Sequence, residues 1–78
     1  GPLPEISIKA QPSQLAAAGT TTLSWTGQNI KSCKLLGLGV PANGSRHVTA
    51  ARTTTYQIAC IGPQGGDAID TVVVRVGP

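Results

Sequence analysis

No stretch of this chain keeps a helical spacing of apolar residues for more than about two turns. Apolar residues instead alternate over short runs, and Gly, Pro or Asn closes nearly every run. That pattern confines the chain to β-strands joined by turns. Residues 5–10 alternate, with Ile6, Ile8 and Ala10 on one face, and Gln11-Pro12-Ser13 breaks the run. Ala16-Ala17-Ala18-Gly19 leads to a turn, and residues 20–26 form a second strand with Leu23 and Trp25 on one face. Gly27-Gln28-Asn29 signals a turn before a third strand at 30–36, where Cys33 and Leu35 share a face.

The pattern loosens from Gly37 to Ser45, with a short edge strand at 38–40. Asn43-Gly44 predicts a hairpin turn, because both residues tolerate positive φ. Residues 45–50 place Val48 and Ala50 inward, and residues 54–61 place Tyr56, Ile58 and Cys60 on one face. Gly62-Pro63-Gln64-Gly65-Gly66 is the most emphatic turn. In the last strand, 67–76, Val72, Val74 and Val76 point inward, and Thr71 and Arg75 outward. The expected fold is all-β, a sandwich or barrel of about six or seven strands.

At 78 residues the chain makes one domain with a thin core. It has one Trp, one Tyr, no Phe and no Met, so the core rests on Trp25, Leu23, Tyr56, Ile58, Val72 and Val74. The domain is expected to occupy 5–76. Residues 1–4 read as a protease-cleavage scar (Gly1-Pro2) and linker, and 77–78 as the start of a linker. No apolar run approaches the roughly 18 residues that a membrane-spanning helix needs, so no direct membrane insertion is expected.

The net charge is +3, and its basic residues are scattered. A nucleic-acid footprint needs clustered Lys and Arg with stacking aromatics, and Trp25 and Tyr56 both sit at inward positions. No nucleic-acid partner is therefore expected.

The residues that could carry chemistry are few. Cys33 and Cys60 lie on inward faces of separate strands, 27 residues apart. A disulfide is the expected reading, with two buried thiols or a metal or redox site as the alternatives. No C-x-x-C motif or His cluster supports a metal. His47 faces outward, and Asp67 and Asp70 read as solvated acids flanking the last turn. Gly37-Leu38-Gly39 and Gly65-Gly66 lack the Lys-Ser/Thr or helix start of a phosphate loop. Asn43-Gly44-Ser45 fits a glycosylation sequon but reads better as a turn. No cofactor, metal or catalytic residue is expected, and the chain does not read as an enzyme.

Several pieces in order resemble the short bacterial immunoglobulin-like modules of secreted and cell-surface proteins, which often stand in tandem. They are Thr22-Leu23-Ser24-Trp25, Ser32-Cys33, residues 53–60 (TTTYQIAC), Gly62 and the Val72/Val74/Val76 strand. The likeness covers residues 5–76 and implies an Ig-like Greek-key β-sandwich with one intradomain disulfide. Antibody-type domains order their markers Cys, Trp, Cys. Here the order is Trp25, Cys33, Cys60. With strands labelled by order, Trp25 takes the strand B core position, and the resemblance implies a bridge that joins strands C and F within one sheet.

The resemblance implies a non-catalytic structural or spacer module in an oxidising setting: extracellular, cell-surface or periplasmic. Its partners would be neighbouring domains of the same chain or another extracellular protein. The alternative is a glycan- or peptide-binding adhesion module. It would use a sheet edge or two loops expected at one end, Gly27-Gln28-Asn29-Ile30 and Gly62-Pro63-Gln64-Gly65-Gly66.

Overall fold

A computed structural model describes residues 3–78. The expected scar at Gly1-Pro2 lies outside the described residues. Eight strands form: β1 (Glu5–Gln11), β2 (Gln14–Leu15), β3 (Gly19–Gln28), β4 (Ser32–Leu35), β5 (Leu38–Val40), β6 (Gly44–Ala50), β7 (Thr54–Ile61) and β8 (Asp67–Val76). They make a three-stranded sheet ordered β1-β3-β6 and a five-stranded sheet ordered β2-β8-β7-β4-β5. Every pairing is antiparallel except β2 with β8, which is parallel.

Alternation explains the core. Leu23 and Trp25 of β3, Cys33 and Leu35 of β4, Tyr56, Ile58 and Cys60 of β7, and Val74 of β8 are all buried. Val72 packs against this cluster from a half-buried position. Thr21 continues the inward face of β3, and its hydroxyl donates to the Pro12 carbonyl, so its burial leaves no unpaired oxygen. Trp25 is buried across its rings, and its Nε1 donates to the Pro41 carbonyl at 2.8 Å.

Cys33 and Cys60 are directly opposed on β4 and β7 and form a disulfide. The bridge therefore lies within the five-stranded sheet, and it fits an oxidising compartment.

The structure corrects several expectations. Asn43-Gly44 closes no hairpin. β5 pairs with β4 in one sheet, β6 pairs with β3 in the other, and residues 41–43 cross between sheets. Gly44 opens β6 opposite Trp25, where an added Cβ would come 3.0 Å from Cζ2 of the indole. The tight hairpin is Leu36-Gly37, a two-residue loop between the paired Leu35 and Leu38. Both loop residues have positive φ, +55° and +76°, as a type I′ turn requires. Gly27 and Gln28 continue β3, paired with Ile6 and Glu5, rather than turning. Between the break at 11–13 and the stretch at 16–19, residues 14–15 form the short strand β2.

Asp70 is not a solvated strand-end acid. It lies mid-strand on β8 opposite Ile58, half-buried on the inward face, and its Oδ2 accepts the Ile8 backbone N–H at 2.9 Å. β1 is an edge strand, so an amide that β3 leaves unpaired needs an acceptor from elsewhere. Asp70 supplies it from the opposite sheet.

Candidate functional site

Three segments meet at the end of the sandwich where β1 begins. They are Leu3-Pro4 ahead of β1, the β3–β4 connection and the β7–β8 connection. Asn29 adopts φ +59°, one of the few left-handed conformations that Asn tolerates well. Its Nδ2 donates to the Leu3 carbonyl at 3.2 Å. The Lys31 amide donates to the Ile61 carbonyl at 2.7 Å, tying the β3–β4 connection to the end of β7.

The β7–β8 turn closes on itself. The Gly62 amide donates to the Gly66 carbonyl at 2.7 Å, and the Gly65 amide to the Gly62 carbonyl at 3.1 Å. Two of its glycines are required by close approach. A Cβ on Gly62 would lie 3.1 Å from the Asn29 carbonyl oxygen, and one on Gly66 would lie 3.2 Å from Pro4 Cδ. With no side chains there, Pro4 rests against the turn.

These contacts leave a cavity of about 220 Å³ between Leu3, Pro4, Asn29, Pro63, Gln64 and the bare backbone of Gly62 and Gly66. Its walls are proline rings and glycine backbone, with the Asn29 and Gln64 amides as its polar side chains. No lining residue carries a titratable side chain. The site is equipped to hold an apolar or amide-bearing group by shape and hydrogen bonding.

Only part of the expected loop pair meets here. Asn29, Gly62, Pro63, Gln64 and Gly66 line the cavity, and Gly65 sits in the turn with nothing near its Cα face. Ile30 packs against the core. Gly27 and Gln28 border a separate depression of about 250 Å³ with Glu5, Ser7 and Asn43, where Asn43 Oδ1 accepts the Gly27 amide at 3.2 Å. Leu3 and Pro4, which the sequence reads as linker, also line this cavity. A proline directly before the first strand was the one signal that this segment could be held.

The remaining candidate groups are dispersed. His47 is exposed on β6, and its Nδ1 lies 2.9 Å from Thr22 Oγ1. Asp67 is exposed at the start of β8. Among the described residues, no three His, Cys, Asp or Glu side chains are grouped to hold a metal ion. Comparison with protein-family models, curated proteins and solved structures finds no match to this chain.

Proposed function

We propose that the domain is a non-catalytic immunoglobulin-like spacer module of a larger extracellular or cell-surface bacterial protein. The strand order supports an Ig-like Greek key. The β1-β3-β6 sheet corresponds to strands A, B and E, and β8-β7-β4-β5 to G, F, C and C′, with β2 as a short A′ segment.

The observation that carries the spacer reading is the placement of the chain ends. β1 and β8 both run away from the pole formed by Leu3-Pro4 and the Gly62–Gly66 turn. The chain therefore enters at one end of a body 45 Å long and leaves at the other. Both ends are held. Asn29 grips Leu3, while the Gly77 amide donates to the Leu15 carbonyl at 2.8 Å and the Val76 amide to Thr53 Oγ1 at 3.0 Å. A body strung this way adds a fixed length in a fixed direction. The test is to replace the module in its parent protein with an unrelated sandwich of similar length. The spacer reading expects export and activity of the parent to survive the exchange. Their loss, with the parent still folded and exported, would show that this surface itself is recognised.

One observation favours a second reading, that of a binding module. The β3–β4 and β7–β8 connections meet Leu3-Pro4 around the 220 Å³ cavity. Titration with short peptides and oligosaccharides, followed by amide chemical shifts, tests it. Saturable shifts confined to Asn29 and Gly62–Gly66 would support it, and shifts elsewhere or none would not.

A further inference from the structure

The two outer faces of the sandwich differ in kind. The exposed positions of β1, β3 and β6 carry Ser, Thr, Gln, Lys9, Glu5, His47 and Arg46, with no large apolar residue. Among the described residues, Ile61, Ile69 and Val73 are exposed large hydrophobics at outward positions of the five-stranded sheet, while Leu36 lies in the β4–β5 turn and Leu38 pairs with the buried Leu35 on the inward side. Ile69 is 60% exposed near the start of β8, where β2 has not yet joined and β8 forms the sheet edge.

The register places opposite charges on either side of this strip. Lys34 on β4 pairs with Ala59 on β7, which pairs with Ile69 on β8. One step along, Ser32 pairs with Ile61, which pairs with Asp67. Lys34 and Asp67 thus flank β7 from opposite sides, roughly 12 Å apart by ordinary strand spacings, with Ala59 and Ile61 between them. Neither has an ion-pair or side-chain hydrogen-bond partner among the described residues. Arg75 is the other charge on this face, about 20 Å further along the strands.

We propose that this outer face docks a second copy of the same chain through a two-fold axis crossing β7 between Ala59 and Ile61. An isologous interface brings residue i of one copy to residue j of the other, and j to i. Lys34 of each copy then meets Asp67 of its partner, and the Ile61/Ile69 strip is covered by its own image. The same patch supplies both halves of the contact, which a strip flanked by charges of one sign could not do. β8 and β7, with the shorter β4 and β5, present roughly 400 Å² of flat face per copy. That is below the size of a stable specific interface, so the dimer is weak and transient. The inference does not depend on the spacer reading.

Sedimentation equilibrium of the module across the micromolar to millimolar range tests it, with Lys34→Glu, Asp67→Lys and the double exchange. Both positions of change are exposed strand sites, and thermal melts check that folding is unaltered. The wild-type chain should self-associate, each single variant should weaken association about tenfold or more, and the double exchange should restore it. The singles shift net charge in opposite directions, so an effect of overall charge would move them apart. A monomer at all concentrations, singles that move in opposite directions, or a double variant no better than the singles would each overturn the proposal.

Discussion

The Asp70 carboxylate of β8 accepts the Ile8 amide of β1 at 2.9 Å, so a single side chain ties the edge of the three-stranded sheet to the face of the five-stranded one. Ile8 is itself buried, which makes an unpaired amide there costly.

Asp70→Ala should lower stability by about 1–3 kcal/mol, the range for a hydrogen bond to a charged group whose partner is left wanting. Asp70→Asn keeps an acceptor oxygen and should cost less. Denaturant unfolding of both variants measures the difference. Equal stability of Asp70→Ala and the wild-type chain would remove the bond from the account.

Trp25 and Gly44 form a second dependent pair. The indole lies over Gly44, and its Nε1 is anchored on the Pro41 carbonyl. Gly44→Ala pushes a methyl group to 3.0 Å from Cζ2, too close without movement of the ring. The expected loss is about 1–3 kcal/mol, typical of overpacking. Trp25→Ala should cost about 3–5 kcal/mol and prevent stable folding. Native tryptophan fluorescence should be blue-shifted and resistant to quenching.

At the β4–β5 hairpin, Leu36 holds φ +55°, a conformation that costs a side chain such as Leu about 1 kcal/mol or more. Leu36→Asn creates the Asn-Gly pair that type I′ turns favour and should raise stability by about 0.5–1 kcal/mol. Leu36 is exposed, so little packing is lost. A fall in melting temperature would contradict the turn assignment.

The core was legible because burial in a sandwich follows the two-residue period of a strand. Leu23/Trp25, Cys33/Leu35 and Tyr56/Ile58/Cys60 each show it without ambiguity. Asp70 was misread because its partner lies 62 residues away, and only the packing of one sheet on the other brings Ile8 to it. The hairpin lies at Leu36-Gly37 and not at Asn43-Gly44, where the turn residues stand. Asn43-Gly44 has the favoured turn residues, but β5 is already paired to β4, so the chain there must cross to the other sheet. Leu36 gives no sign of positive φ, and tertiary pairing forces it. Of the end cavity, the Gly62–Gly66 turn and Asn29 were visible as turn chemistry. Leu3 and Pro4 were not, because their place depends on Gly62 and Gly66 lacking side chains.

The Cys33–Cys60 bridge closes a loop across a sequence separation of 27 residues. On the chain-entropy model that constrains the unfolded state by about 3–4 kcal/mol. Reduction should lower the melting temperature by on the order of 10 °C or more in so small a domain. The reduced and oxidised forms, compared by calorimetry, check this. An unchanged melting temperature would mean that β4 and β7 hold together without the staple.

The central claim is that the module adds length in a fixed direction. Two copies joined end to end, Pro78 to Leu3, each carrying Lys34→Glu to disable the proposed docking face, and measured by small-angle X-ray scattering, test it most directly. With one module 45 Å long, the pair should show a maximum dimension of roughly 90 Å. A maximum dimension near that of a single module, from two copies folded back side by side, would contradict the spacer account.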